Sequence, residues 1–283
     1  MAPEEAEEPA TTRARAVARV VAVVVTYRRD EPLLRCVDAI AGQTLRPEHT
    51  IVIDNGGLAR EVLGGDLPGV TVIEPGENLG PAGGYALGFI EALAAGADAI
   101  WAVDDDVVPA PECLERLESA RADGAEIAVP LQRKPGGIRG FPPSWNGPLF
   151  DAAVVREVGV PRADLFFWAE DTEYVARLRA NGHRRTHVRE AEVLHLNPRA
   201  RRRGQQRDWQ LYYEVRNTLE YRLRIRRRTA KGVARAVGGV LGKLASILLL
   251  EPGKGPSLRM WWSGIRDFRR GRLGRVVEPD DPR

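Results

Sequence analysis

Residues 17–26 are nearly unbroken valine and alanine and end in Thr26. A strand with one wet face alternates polar and apolar residues, and this one does not. It reads as a strand covered on both faces, the usual condition of parallel strands flanked by helices. Asp30 and Pro32 then mark a helix start. Leu33, Leu34, Val37 and Ile40 give that helix an apolar stripe, and Gly42 ends it. Residues 49–54 and 70–73 read as two further strands. A glycine-rich stretch at 76–84 leads into a helix whose apolar face is read from Leu87, Ile90 and Ala94. Residues 99–103 are a fourth strand, followed by a helix carrying Leu114 and Leu117. This β-α-β-β-α-β order predicts an α/β fold with a doubly wound, mostly parallel sheet. Such sheets bind ligands beyond the carboxyl ends of their strands. Thr26, Asp54 and Asp104 all end strands, so they are expected at one edge although far apart in the chain.

The fourth strand runs into three consecutive carboxylates, Asp104, Asp105 and Asp106. Side chains at i and i+2 of an extended segment share a face, so Asp104 and Asp106 converge. An isolated triplet of this kind is most simply a solvated turn. Next to other strand ends it is a candidate site for Mg²⁺ or Mn²⁺, ions that bridge carboxylates to phosphates, with Asp105 placed for a ribose hydroxyl. His195 ends a strand predicted over 186–195, and an imidazole beside two carboxylates favours Mn²⁺. Taken alone, His195 is equally well a histidine hydrogen-bonded at a sheet edge.

Glu170 and Asp171 open a helix predicted over 170–181, where acidic residues commonly serve as caps. They follow a strand-like aromatic run at 165–168. A carboxylate beside an aromatic face suits a proton acceptor next to a sugar wall. Asn78 and the glycines after it, Gly83 included, could bring backbone N–H groups near a diphosphate, although glycine also simply turns chains. The loop is no P-loop, and the sequence has no Gly-x-Ser-x-Gly elbow. Residues 131–148, rich in Gly and Pro, read as loop or irregular strand.

A chain of 283 residues with 43% hydrophobic and 29% charged residues is an ordinary globular composition. The net charge of +3 is unevenly spread. Residues 1–14 read as an acidic, disordered tail. Residues 199–235 hold many arginines, opening with Arg199, Arg201, Arg202, Arg203 and Arg207, and favour an anionic partner. Cys36 and Cys113 fall in separate helices and read as reduced, buried thiols. The start of the chain lacks a signal-peptide layout, and no apolar run matches a membrane span, so a cytoplasmic protein is expected. Residues 233–250 read as an amphipathic helix too short and interrupted to span a bilayer. With its basic neighbours, and with Trp261 and Trp262, it suits an anionic lipid surface. It equally suits packing against the rest of the chain or a second copy.

Taken in order, Thr26-Tyr27-Arg28, Asp54-Asn55-Gly56, the 78–84 loop, Asp104-Asp105-Asp106, Trp168-Ala169-Glu170-Asp171 and His195 resemble family 2 glycosyltransferases of the GT-A fold. Within that family the chain is most similar to bacterial rhamnosyl- and galactofuranosyltransferases. The resemblance covers about 17–195; Arg216-Asn217-Thr218 and 264–274 share it more loosely. It implies a GT-A domain over 15–198 and a helical, basic region over 199–283. By the same resemblance Thr26 and Arg28 contact the nucleotide, Asp54 its base, and Asn78 with its loop the diphosphate or donor sugar. Asp104, Asp106 and His195 match metal ligands for Mn²⁺ or Mg²⁺, and Trp168 matches a wall of the sugar site. Asp171 matches the general base, with Glu170 beside it toward the acceptor. The family often has two aspartates there, which leaves the base assignment between Glu170 and Asp171 open.

The implied reaction is inverting, metal-dependent sugar transfer from a UDP- or dTDP-sugar, galactofuranose or rhamnose, to a hydroxyl acceptor. A polyprenyl-diphosphate-linked saccharide is the expected acceptor, at the inner face of the cell membrane. The alternatives are transfer to a soluble natural product or peptide and a non-catalytic nucleotide-sugar binder; a homo-oligomer is compatible with each. A nucleic-acid binder is a further alternative, disfavoured because no RNA-module signature is present and, unless metal is bound, the acidic site would repel a phosphate backbone.

Overall fold

The computed structural model describes residues 18–137, 139–196, 208–226, 229–251 and 253–279. The tail expected over 1–14, the boundary expected near 198, and Arg199, Arg201, Arg202, Arg203 and Arg207 lie outside the described residues. The strands are β1 (Val20–Thr26), β2 (His49–Asp54), β3 (Val70–Ile73), β4 (Ala99–Asp104), β5 (Val107–Pro109), β6 (Ile127–Arg133), β7 (Arg139–Gly140), β8 (Asn146–Asp151) and β9 (Arg185–His195). The helices are α1 (Glu31–Ala41), α2 (Ala59–Val62), α3 (Gly80–Ala94), α4 (Cys113–Ala122), α5 (Ala152–Val158), α6 (Glu170–Ala180), α7 (Asp208–Glu220), α8 (Ala230–Leu250) and α9 (Lys254–Arg270).

One sheet runs in the order β3-β2-β1-β4-β8-β6-β9-β5, with β7 on β6. β3, β2, β1 and β4 are mutually parallel. β8 enters antiparallel to β4 and β6, while β6 and β9 pair in parallel. The sheet is therefore mostly parallel, as expected. All seven residues of β1 are buried. Val20, Ala22 and Val24 pack with Leu33, Cys36, Val37 and Ile40 of α1 and Leu114 and Leu117 of α4. Val21, Val23 and Val25 pack on the other face with Tyr85 and Phe89 of α3 and Tyr174 and Leu178 of α6. Each buried aliphatic side chain contributes about 1.5–3 kcal/mol, which is why a two-sided strand can be so uniformly apolar. Cys36 and Cys113 are free and buried.

Three local expectations are corrected. The buried face of α3 is Tyr85, Phe89 and Ala92, and Ile90 is half exposed. The reason is glycine. A Cβ on Gly84 would lie 2.5 Å from Val25 Cγ1, and one on Gly88 would lie 2.3 Å from Val23 Cγ1. The helix settles on β1 along this bare stripe. The stretch 131–148, read as loop or irregular strand, holds the end of β6, β7 and the start of β8 with loop between them. The run at 165–168 is no strand: a 3₁₀ turn at Ala163–Leu165 leads into residues with positive φ. Finally, α8 has 21 residues with a hydropathy of 1.7, long and apolar enough to cross a membrane by length and composition. Thr229, which accepts the Gly232 N–H, caps it earlier than the apolar pattern suggests.

Beyond the sheet, α7, α8 and α9 share a core of Leu211, Val215, Leu219, Ala236, Val240 and Ile247. Contact between α7 and α9 is close; a Cβ on Gly264 would lie 2.8 Å from the Tyr212 carbonyl. Phe166, Tyr212 and Tyr213 join this helical region to the α/β part.

Candidate active site

Thr26 is in register with Asp54, and Val25 with Asp104, so three strand ends share one edge. β9 arrives at the same edge, with His195 paired to Val107 just past the triplet. His195 Nε2 lies 3.2 Å from Asp106 Oδ1, and its Nδ1 lies 2.9 Å from Gln132 Nε2 at the end of β6. Thr26 Oγ1 donates to Asp105 Oδ2 at 2.8 Å. The Tyr85 hydroxyl donates to Asp104 Oδ1 at 2.8 Å. The Arg29 guanidinium stands 3.8 Å from both Asp105 and Asp106. Each carboxylate of the triplet thus has a partner of its own, Tyr85, Thr26 or His195, and Asp105 and Asp106 also share Arg29.

These partners set the charges. Burial, then the neighbouring Asp106, pushes Asp104 up to about 7 against the Tyr85 hydrogen bond. Burial pushes Asp105 up to about 6, opposed first by Arg29. Burial also works against Asp106, but His195 and Arg29 outweigh it and hold its carboxyl below the ordinary range. Three crowded carboxylates with two raised pKa values form an edge that a cation would relieve. Among the described residues no three His, Cys, Asp or Glu side chains stand together as a ready metal cage. Asp106 and His195 are assembled, while the Asp104 carboxylate faces Tyr85. By donor chemistry two carboxylates and an imidazole suit Mn²⁺ or Mg²⁺, but Asp104 would have to turn from Tyr85 to join Asp106 and His195.

Glu170 and Asp171 begin α6 at the same edge. Burial, then Asp171, raises the Glu170 carboxyl well above the carboxylate range, and its Oε2 is buried without a hydrogen-bond partner. Burial raises Asp171 as well, opposed by hydrogen bonds from the Thr172 amide and hydroxyl. Trp145 stacks on Tyr85 at 4.4 Å and lines a pocket with Ser144, Asp171 and Val175. Trp168 is 39% exposed on a loop in which Phe166, Trp168 and Ala169 have φ of +63°, +74° and +70°. Non-glycine residues in that region cost about 1–3 kcal/mol each.

The glycine-rich loop is a correction. The Leu79 amide donates to Asn55 Oδ1, Gly80 to Asn78 Oδ1, Ala82 to the Phe166 carbonyl and Gly83 to the Leu79 carbonyl. These four amides are engaged inside the protein and form no diphosphate cradle. Gly83 instead admits Leu79, whose Cβ would lie 2.7 Å from an added Cβ. Asp54 likewise accepts the amides of Gly56, Gly57 and Ala59 at 2.6–3.0 Å, so its carboxylate shapes the loop after β2. Arg28 adopts φ of +50° beside Tyr27. Sequence reasoning missed Tyr85, Arg29, Gln132 and Trp145. Arg29 follows the flagged Thr26-Tyr27-Arg28 directly, and Tyr85 follows Gly84; the other two carry no local signal.

Residues 21–151 match the family model for glycosyl transferase family 2. Galactofuranosyltransferase GlfT1 of Mycobacterium tuberculosis H37Rv is 33% identical over 58% of this chain and 65% of its own length. The Mycolicibacterium smegmatis galactofuranosyltransferase GlfT1 is 35% identical over 58% and 66%. Polyprenol monophosphomannose synthase of M. smegmatis is 31% identical over 48% and 53%. The match thus spans just under two thirds of the galactofuranosyltransferases' length. Staphylococcus aureus TarS superposes with a TM-score of 0.54 at 16% identity, covering 89% of this chain and 49% of TarS. The fold is GT-A, and residues 21–151 carry a glycosyl transferase family 2 domain.

Proposed function

We propose that this protein transfers a sugar, with inversion, from a nucleotide-diphosphate donor to an acceptor hydroxyl. The observation that carries the reading is the meeting of Asp104–Asp106, His195 and the Glu170–Asp171 pair at one sheet edge. Thr26 and Asp105 line the nucleotide end, joined by Arg28. Trp168 offers its ring to the sugar. Asp171 takes the proton from the acceptor hydroxyl as its oxygen forms a bond to the anomeric carbon and the bond to the diphosphate oxygen breaks. Burial keeps that carboxylate more basic than an exposed one, and Glu170 beside it binds the acceptor. One in-line displacement inverts the centre and requires no enzyme nucleophile. Asp106, His195 and Asp104 would hold Mn²⁺ or Mg²⁺, which supplies charge neutralisation on the departing diphosphate.

Galactofuranose on UDP is favoured over rhamnose on dTDP, because two of the relatives are named galactofuranosyltransferases. A polyprenyl-linked acceptor is supported by the polyprenol named for another relative and by the exposed apolar face of α8, which suits a membrane's inner surface. The test is thermal stabilisation of the whole chain by UDP, dTDP and GDP, each with and without Mn²⁺, since a ligand stabilises by RT ln(1 + [L]/Kd). A Mn²⁺-dependent shift with UDP, followed by turnover of UDP-galactofuranose, is expected. No shift with any nucleotide and no turnover would refute the reading.

A further inference from the structure

We propose that Arg216 and Asn217 are positioning residues for the active site. They hold the strained loop that carries Trp168 and delivers Asp171, an inference that rests on the roles given to those two residues above. Three non-glycine residues in this loop have positive φ, a state that persists only where the surroundings over-determine it. Those surroundings come from α7. Asn217 Nδ2 donates to the carbonyls of Leu165, Phe167 and Trp168 at 2.8, 2.7 and 3.0 Å. An amide has two N–H groups, so one is shared between two carbonyls. Arg216 Nη2 reaches the Leu165 carbonyl at 3.0 Å.

The amide cannot turn over without loss. Arg216 Nε donates to Asn217 Oδ1 at 2.8 Å, which fixes the oxygen away from the loop and the donors toward it. Arg216 is itself fully buried. Its guanidinium lies 5.4 and 4.8 Å from the Tyr212 and Tyr213 rings, and its Nη1 donates to the Gly274 carbonyl at 2.8 Å. The Gly274 amide returns to the Asp164 carbonyl at 2.6 Å. On the other side the Phe166 carbonyl accepts the Ala82 amide of α3 at 3.2 Å. Four consecutive carbonyls, 165 to 168, are thus held between α3 and α7, and the acid pair follows two residues later. A helix outside the matched family segment thereby sets the geometry of the transfer site.

The experiment uses the full chain carrying Asn217→Ala, Asn217→Asp or Arg216→Lys, with Asp171→Asn alongside. The Asn217→Asp variant keeps the acceptor toward Arg216 and loses the donors to the loop. Readouts are melting temperature, UDP affinity with Mn²⁺, kcat and KM, and the fluorine resonance of 5-fluorotryptophan at Trp168, assigned with Trp168→Phe. A misplacement near 1 Å is expected to lower kcat about 100-fold. UDP affinity should stay within about threefold, because the nucleotide end is untouched, and the Trp168 resonance should move or broaden. An unmoved resonance with kcat within about threefold of the parent, or parallel loss of kcat and UDP affinity, overturns the proposal. Failure of all three variants to fold does so too, by making the pair a folding requirement. If Asp171→Asn retains transfer, the base assignment fails, and the Trp168 resonance still decides the clamp.

Discussion

Asp171 accepts two hydrogen bonds from Thr172, yet burial still raises its carboxyl above the ordinary range. A base needs a carboxylate more basic than an exposed acid, and burial shifts Asp171 in that direction. Asp171→Asn keeps the shape and removes the proton acceptor. Transfer should fall by about 10²–10⁴-fold, with UDP affinity in Mn²⁺ nearly unchanged by calorimetry; equal loss of both would sink the base role. Asp106→Ala should remove the Mn²⁺-dependent part of UDP affinity while leaving the metal-free part, and an unchanged Mn²⁺ dependence would end its claim as a ligand. Asp104 gives a pH prediction. Its folded value of about 7 against an ordinary 3.8 means the folded chain holds this proton more tightly than the unfolded chain. Its contribution is greatest at the acid end and is lost as pH rises from about 4 to about 7. Without metal, the melting temperature of the parent should therefore fall relative to Asp104→Asn across that window. A constant gap would show that Asp104 ionises normally.

At the scale of elements, one substitution tells packing from propensity. Gly88 and Gly238 both lie inside helices, and alanine is a better helix former by about 1 kcal/mol. An added Cβ at Gly88 would lie 2.3 Å from Val23 Cγ1, whereas nothing lies within 4 Å of one at Gly238. Gly88→Ala should lose about 1–3 kcal/mol to overpacking, and Gly238→Ala should gain up to about 1 kcal/mol, both read by denaturant unfolding. Equal signs would refute the close docking of α3 on β1. The same contrast explains what the sequence could say. Strands β1, β2 and β4 were legible because two-sided burial writes itself as an apolar run, whereas the edge strand β3, with Thr71 exposed, was legible only from its β-branched residues. The edge shared by Thr26, Asp54 and Asp104 followed from their places at strand ends. The α3 face was misread because its contact is made by glycines, which a hydrophobic pattern cannot weigh. The loop at 165–168 was misread because its shape is imposed by Asn217, some fifty residues later. The loop amides were misassigned because glycine marks a turn without revealing where the N–H groups point.

Across the whole molecule, the C-terminal helices have an inner and an outer task. Inward, α7 braces the acid-bearing loop, and Arg275 Nη1 reaches the Asn78 carbonyl at 3.3 Å. Outward, α8 buries Ala236, Val240 and Ile247 and leaves Val233, Val237, Leu241 and Leu248 as a second stripe beside them. Leu249 is 80% exposed and Trp262 of α9 is 58% exposed. Lys231, Arg235 and Lys254 are exposed on α8 and α9. Apolar side chains flanked by cations fit the boundary of an anionic bilayer, where each nearby cation adds about 1 kcal/mol. The full chain should co-sediment with phosphatidylglycerol-containing vesicles, bind neutral phosphatidylcholine vesicles more weakly, and release as salt rises. Leu241→Glu with Leu249→Glu should abolish co-sedimentation while leaving the melting temperature and UDP affinity intact, because both side chains are exposed and lie outside the core shared by α7 and α8. If the double variant binds vesicles like the parent, the stripe does not face lipid. If instead the parent is a dimer that the variant splits into monomers, the stripe is covered by a second copy, and α8 no longer supports the proposal of a lipid-linked acceptor.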